Sequence, residues 1–196
     1  MQIFQNNNDP KLIALLKEGA VGVLPTDTVY GLVCRAADEE AVARLYALKN
    51  REHKPGTVIA AETQQLTDLG LHARYLKAVE QFWPGPVSVI IPTTAVNYLR
   101  QDVEGLAVRI PGDTVIHDLL TEVGPLLTTS ANQPGEPVAS TVEEARAYFG
   151  DTVDFYVDGG DLSGYPPSTV VRVVDDAIEV LREGAVKIDE TGRIIE

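Results

Sequence analysis

Hydrophobic positions along this chain change repeatedly between the spacing of a helix and the spacing of a strand. Apolar residues three and four positions apart predict amphipathic helices, and the first two begin after the N-cap residues Asp9 and Asp38. Short, nearly continuous apolar runs predict buried strands. Helices are therefore predicted at 10–18, 39–49, 66–82 with a break at Gly70, 114–123 and 142–149. Strands are predicted at 21–24, 57–61, 87–91, 106–110, 126–129, 153–157, 169–174 and 178–181.

This irregular alternation of helices and strands predicts one α/β domain built on a mixed sheet. The 196 residues, of which 44% are hydrophobic, can build one sizeable core but are too few for two generous domains. The sequence contains no internal repeat and no low-complexity linker. A single domain over residues 1–196, with its core at about 9–186, is therefore expected.

The first predicted strand runs directly into a polar loop. Pro25 is expected to end the ladder pairing of this strand, and three hydroxyls and a carboxylate follow at Thr26, Asp27, Thr28 and Tyr30. In open α/β sheets, ligands bind at this kind of strand end. The alternative is a hydroxyl-rich turn that satisfies its own backbone, and this segment alone does not decide between the two.

Three further polar clusters stand at the ends of predicted elements. They lie at 49–55, which carries three cations, at 128–132, and at 167–171 with Arg172 and Arg182 beyond it. Taken singly, each has a plain structural explanation, such as favourable charge at a helix C-terminus or a turn. Taken together, arginine, lysine, hydroxyl and amide donors suit phosphate oxygens, so the clusters predict an anion site.

Composition and charge narrow the classes of protein. The net charge of -13 argues against non-specific electrostatic binding of nucleic acid. Cys34 is the single cysteine and the three histidines are widely spaced, so neither a disulfide within the chain nor a protein metal cage is expected. Without an apolar run of about 18 residues or a basic leader, we expect a cytoplasmic protein with no membrane partner. The phosphate-binding patterns G-x-x-x-x-G-K-[ST] and G-x-G-x-x-G are also absent, so side chains must hold any phosphate.

Seven short segments, in order and spaced over residues 20–186, resemble the successive signatures of the YrdC/TsaC family. They are LPTDTVYGL at 24–32, LKNR at 48–51, WPGPV at 83–87, LAVRIP at 106–111, TSAN at 129–132, PSTVV at 167–171 and LREGA at 181–185. Each segment is weakly specific by itself, whereas the ordered set is a specific match. The resemblance implies the short, single-domain form of the family and its fold, a twisted and partly barrel-like mixed sheet around a positively lined cavity.

The resemblance also implies an activity, that of L-threonylcarbamoyladenylate synthase. Such an enzyme makes threonylcarbamoyl-AMP and pyrophosphate from L-threonine, bicarbonate or CO₂, and ATP, with Mg²⁺ accompanying the ATP and no metal held by the protein. A separate transferase then modifies the adenosine at position 37 of tRNA, so tRNA is an indirect partner.

Residue by residue, the resemblance divides the polar clusters into two groups. The implied ATP-binding residues are Lys49, Arg51, Lys54, Ser130, Asn132 and Arg182, with Lys49 and Arg51 as the catalytic cations. The implied L-threonine-binding residues are Thr28, Tyr30, Arg109, Thr128 and Ser168. Two positions depart from the family pattern. Gly56 stands where a large apolar residue is common, and Arg172 stands where an acidic residue is common.

Two other functions remain open at this point. A paralogue of the same fold, like the YrdC-like module of hydrogenase-maturation carbamoyltransferases, would act on another carbamoyl adenylate. A non-enzymatic RNA-binding protein would need a basic surface wide enough for several phosphates, and the acidic composition argues against it.

Overall fold

A computed structural model describes residues 1–50, 53–174, 177–189 and 191–195. The predicted α/β class is confirmed: ten strands form one mixed sheet in the order β1-β8-β2-β3-β7-β4-β6-β5-β9-β10. Two further strands, β11 and β12, pair separately. The large sheet ends in the edge strands β1 and β10, and partial closure into a barrel stays a prediction.

The strands are β1 (Gln2–Phe4), β2 (Gly22–Pro25), β3 (Tyr30–Arg35), β4 (Thr57–Ile59), β5 (Val87–Ile91), β6 (Leu106–Arg109), β7 (Leu126–Ser130), β8 (Phe155–Val157), β9 (Thr169–Val174), β10 (Ala177–Arg182), β11 (Lys187–Ile188) and β12 (Ile194–Ile195). The helices are α1 (Pro10–Lys17), α2 (Glu39–Leu48), α3 (Thr63–Asp68), α4 (Ala73–Ala78), α5 (Asn97–Arg100), α6 (Thr114–Val123) and α7 (Val142–Phe149), and a 3₁₀ turn spans Glu80–Phe82.

Apolar side chains cover both faces of the large sheet, because successive residues of a strand point to opposite sides. Leu32 belongs to one buried cluster together with residues of α2 and α7, whereas its neighbour Val33 belongs to a second cluster. The second cluster includes Leu12 of α1 and Leu120 of α6. Strands buried on both faces explain the continuous apolar runs in the sequence.

The β2–β3 hairpin corrects the prediction for the first polar loop. Pro25 does not end the ladder, because it pairs with Tyr30 in the last rung of the hairpin. A proline lacks only its own N–H, so a position at the end of a strand remains open to it. Strand β3 then follows at once and pairs with β7, so the polar loop is a four-residue turn inside the sheet and not a strand-to-helix connection.

Asp154 fastens the start of β2 to α2. Its Oδ2 accepts hydrogen bonds from the Val21 N–H at 2.8 Å and from Arg44 Nη1 at 2.6 Å. Partial burial disfavours the charged carboxylate, but these bonds outweigh burial and hold the pKa of Asp154 below its ordinary value of 3.8.

We expect Asp154→Asn to lower the free energy of unfolding by about 1–2 kcal/mol near neutral pH, because bonds to a charged acceptor are lost at a partly exposed site. Since the folded-state pKa is lowered, this stabilisation is complete above the unfolded-state pKa and disappears as the pH falls through the folded-state pKa. The difference between wild type and variant should therefore close below about pH 4. Urea unfolding across this range measures it, and a difference that persists in acid would contradict the role of the carboxylate.

Within the part of the chain that the structure describes, no helix combines the length and the apolar character that crossing a bilayer requires.

Candidate active site

A cavity of about 480 Å³ opens on the face of the large sheet that also carries the second apolar cluster, at the point where this face carries small side chains. Thr128 of β7 lies opposite Thr57 of β4, which in turn lies opposite Ala107 of β6. Two residues further along these strands, the same face carries Ile59 and Leu126 of the apolar core. The cavity therefore begins where this face changes from large apolar residues to small and polar ones.

Six of the predicted site residues line this cavity, although they come from distant parts of the chain. They are Thr28, Arg109, Thr128, Ser130, Ser168 and Arg182. The sheet order explains their meeting, because β7 lies between β3 and β4, and β6 and β5 connect β4 to β9. The predicted clusters thus converge on one space.

The turn of the β2–β3 hairpin closes through its own hydroxyl and also borders the cavity. Thr26 Oγ1 donates to the Val29 carbonyl at 2.7 Å and accepts from the Thr28 N–H at 3.2 Å. Thr28 is buried and lines the cavity. Close by, a Cβ on Gly31 would lie 2.5 Å from Thr128 Oγ1, so glycine keeps this part of the cavity open. The loop is therefore a turn that satisfies its own backbone and also borders the cavity.

A buried ion pair lies at one wall of the cavity. Arg109 Nη1 donates to Asp27 Oδ1 at 2.5 Å, and the two side chains are only 4% and 9% exposed. Burial lowers the pKa of Arg109, and the Asp27 carboxylate partly offsets this effect. Arginine remains a cation nevertheless. Its Nε is buried and has no hydrogen-bond partner in the described part of the chain, so the guanidinium has a donor left for a ligand.

Lys49 connects two of the predicted clusters directly. Its Nζ donates to the Ser130 carbonyl at 2.9 Å, to Asn132 Oδ1 at 3.0 Å and to the Asn132 carbonyl. Ser130 Oγ donates to the same Asn132 Oδ1 at 2.7 Å. The lysine side chain is buried at the C-terminal end of α2 and holds the turn that follows β7. Lys49 and Asn132 themselves stand behind the cavity wall that Ser130 provides.

Arg182 reaches the cavity from the end of β10. Its Nε and Nη2 donate to the Ser168 carbonyl at 3.2 and 2.8 Å, and Nη2 lies 3.2 Å from Ser168 Oγ. Ser168 Oγ in turn lies 3.0 Å from Ser88 Oγ, which is fully buried. Ser88 was not predicted as part of the site, because a serine within an apolar strand carries no signal by itself.

Gly184 explains the LREGA segment in physical terms. Its N–H donates to Thr169 Oγ1 at 3.1 Å, and a Cβ on Gly184 would lie 2.2 Å from the Pro167 carbonyl oxygen. The backbone at Gly184, just after Arg182, therefore packs directly against the backbone of residues 167–168.

We expect Gly184→Ala to lower the free energy of unfolding by about 1–3 kcal/mol, because the added methyl group forces two backbone segments apart. Gly112→Ala is the matched control, since a Cβ there would meet other atoms only at 3.8 Å or more. Urea midpoints of both variants test the expectation. Equal midpoints for the two variants would contradict the close crossing.

Besides Lys49 and Asn132, two described residues that were predicted for the site, Tyr30 and Lys54, are not among the residues that line the cavity, and a third, Arg51, cannot be placed. Tyr30 is buried in the first apolar cluster, and its hydroxyl donates to the Gly160 carbonyl at 2.8 Å and accepts from the Gly159 N–H at 2.9 Å. Burial raises the pKa of Tyr30. Lys54 is exposed at the rim next to the cavity-lining Pro55. Arg51 lies outside the described residues.

The two departures from the family pattern have local explanations. A Cβ on Gly56 would lie 2.6 Å from the Thr128 carbonyl oxygen, so the close approach of β4 to β7 leaves no room for a side chain. Arg172 pairs with Glu179 across the β9–β10 hairpin, with Nε 2.6 Å from Oε2, and both side chains are about half exposed. The positive charge of Arg172 is therefore matched by a neighbour.

His53 and Glu104 also line the cavity and were not predicted to belong to the site. Both are exposed. His53 lies within the predicted cluster at 49–55 without having been singled out there, and Glu104 stands in none of the predicted clusters. In the described part of the chain, no three histidine, cysteine, aspartate or glutamate side chains are grouped so that they could hold a metal ion.

Comparisons with known proteins identify a family. The Sua5/YciO/YrdC family model, described as "Telomere recombination", matches residues 14–184. The chain is 38% identical over 165 residues to the threonylcarbamoyl-AMP synthase of Chromohalobacter salexigens, covering 81% of this chain and 88% of that protein. It is 37% identical to the synthase of the same name from Halorhodospira halophila, with 81% and 86% covered.

Solved structures resemble most of this chain. YciO of E. coli matches with a TM-score of 0.77 and 27% identity, covering 94% of each chain. Sua5 of P. abyssi complexed with L-threonine matches with a TM-score of 0.81 and 26% identity, covering 95% of this chain and 58% of that one. This chain thus spans about three fifths of the P. abyssi protein. With a family model matching most of its length and a cavity built from the family's motifs, the chain belongs to the Sua5/YciO/YrdC family.

Proposed function

We propose that this protein is an L-threonylcarbamoyladenylate synthase, which forms threonylcarbamoyl-AMP and pyrophosphate from L-threonine, bicarbonate or CO₂, and ATP. The observation that carries the proposal is that one cavity is lined by a buried arginine, by several hydroxyls and by a second arginine from another strand. The names of relatives that match over most of their length support this function over the two alternatives.

The chemistry needs no nucleophile from the protein. The amine of threonine adds to CO₂ and loses a proton, which gives a carbamate. A carbamate oxygen then attacks the α-phosphorus of ATP, a new P–O bond forms, and the bond to pyrophosphate breaks. Catalysis of such a transfer rests on positioning and on stabilising the charge of the phosphate oxygens.

The amino acid belongs, in this proposal, at the wall with the ion pair. Arg109 binds the carboxylate of threonine through donors that the Asp27 contact leaves over. Thr28, Thr128 and Ser168 offer hydroxyls from three other strands or turns to the β-hydroxyl and the amine. Tyr30 supports this wall from behind, because its hydroxyl is engaged with the backbone of 159–160.

The nucleotide belongs, in this proposal, near Ser130 and Arg182, which line the same cavity. Arg182 and Arg51 are the proposed cations for the phosphates, and Lys54 at the rim extends this group. Lys49 and Asn132 act through the turn that they hold, which presents Ser130 to the cavity. Mg²⁺ enters as part of the Mg-ATP substrate and supplies charge neutralisation at the phosphates.

Product analysis tests the proposal. The purified protein is incubated with L-threonine, bicarbonate and Mg-ATP, and pyrophosphate and a threonylcarbamoyl adenylate are measured. We expect both products, and only when all three substrates are present. Pyrophosphate release that needs no threonine would favour the paralogue that acts on another carbamoyl adenylate.

The adenylate is proposed to pass to a separate transferase that acts on tRNA in the cytoplasm. Because 29 acidic residues outnumber 16 basic ones, the protein itself should bind free tRNA weakly and with a steep loss on adding salt. Submicromolar, salt-insensitive binding of tRNA that ATP displaces, together with no product, would favour the RNA-binding alternative.

A further inference from the structure

We infer that Asp27 is a positioning residue that sets how Arg109 holds the carboxylate of the amino acid. The inference rests on the proposed function, since it concerns the same cavity. Asp27 lies in the turn of the β2–β3 hairpin, and the sequence analysis assigned it no role of its own. Asp27 acts through Arg109 and needs no contact with the reacting atoms.

The first support is the burial of the ion pair. Asp27 and Arg109 are 82 residues apart in sequence and meet with both side chains more than nine-tenths buried. A buried arginine without a carboxylate beside it would be costly, so Asp27 fixes where the guanidinium can lie. The contact joins one aspartate oxygen to Nη1 alone.

The second support is the donor that remains. A guanidinium offers five N–H groups, and Arg109 Nε is buried with no partner among the described residues. A carboxylate prefers two parallel bonds from one edge of a guanidinium. Because Asp27 occupies Nη1, the edge that carries Nε and Nη2 is left for the incoming carboxylate.

The third support is the rigidity of the turn that carries Asp27. Thr26 closes this turn by bonds to Thr28 and Val29, and Thr28 itself lines the cavity. One short turn therefore fixes the carboxylate-binding arginine and one hydroxyl-binding residue at a set separation. This arrangement recognises an α-amino acid with a polar group on its β-carbon.

Asp27→Asn tests the inference, with L-threonine and L-threoninamide as probes of binding by calorimetry. Threoninamide keeps the hydroxyl and amine but lacks the carboxylate. We expect the preference of wild type for threonine over threoninamide to fall at least tenfold in the variant, with ATP affinity unchanged. A general loosening of the fold would weaken all three ligands together and would overturn the positioning role.

Asp113→Asn is the matched control. A second cavity, which shares Thr26 with the first, is lined by both Asp27 and Asp113. Asp113 also caps α6, where asparagine is an equally good N-cap. We expect the control to keep the wild-type preference. Asp27→Glu, which keeps the charge and moves it by one methylene group, should also reduce the preference and serves if the asparagine variant does not fold.

The outcomes separate the two claims. An unchanged preference in folded Asp27→Asn or Asp27→Glu overturns the inference and leaves the proposed function intact. No binding of L-threonine by wild type contradicts the proposed function and, with it, the inference.

Discussion

Replacing Arg109 by glutamine should lower kcat/KM for L-threonine by about two to three orders of magnitude. Glutamine removes the charge that pairs with the substrate carboxylate, and truncating one partner of a desolvated charge pair costs about 3–4 kcal/mol of binding. About 1.4 kcal/mol corresponds to a factor of ten. Most of the loss should appear in KM for threonine, because the carboxylate lies away from the reacting atoms.

Pyrophosphate release at varied threonine and ATP concentrations gives the measurement. The variant leaves Asp27 buried beside a neutral amide, which can destabilise the fold by about 3–5 kcal/mol, so urea unfolding is measured alongside. Arg44→Gln is the matched control, because it breaks an ion pair with Asp154 outside the cavity. A folded Arg109→Gln protein with wild-type kcat/KM would show that the carboxylate is bound elsewhere.

L-Valine should be used about a thousandfold less efficiently than L-threonine. Valine has nearly the same shape but lacks the hydroxyl, so whichever of the buried groups Thr28, Thr128 and Ser168 bonds to that hydroxyl would lose this hydrogen bond. A site built around a hydroxyl rejects the analogue that lacks it far more strongly than an apolar pocket rejects a missing methyl group.

L-Serine is the matching comparison, because it keeps the hydroxyl and lacks only the methyl group. We expect a loss of about ten- to a hundredfold for serine, clearly smaller than for valine. Competition of each amino acid with labelled threonine in product formation measures the ratios. If valine were used as well as threonine, the hydroxyl-rich wall would not be the amino-acid site and the paralogue function would gain support.

Signals from neighbouring residues were enough to predict most of the helices and several of the strands. Asp9, Asp38 and Asp113 each cap a helix through a side-chain bond to the backbone just after them. Such caps depend on neighbours within four residues, so a sequence displays them directly. By contrast, β1 and the β11–β12 pair were not predicted, because strands of two or three residues are stabilised by partners that lie far along the chain.

Strand β3 shows how a missed element misplaces a side chain. No strand was predicted at residues 30–35, and the family resemblance grouped Tyr30 with Thr28 as a ligand of threonine. Once β3 is a strand, alternate residues point to opposite faces. Gly31 then faces the cavity and Tyr30 faces the apolar core, where its hydroxyl bonds to the loop at 159–160.

The sequence by itself determined the α/β class, the family and the chemical character of the site, because motif residues, caps and apolar spacing are all local properties of the chain. Only the tertiary structure decided which donors are already used. Lys49 meets Asn132 across 83 positions, and Asp27 meets Arg109 across 82. Contacts between residues this far apart depend on the order of strands in the sheet, and the spacing of residues in the sequence does not predict that order.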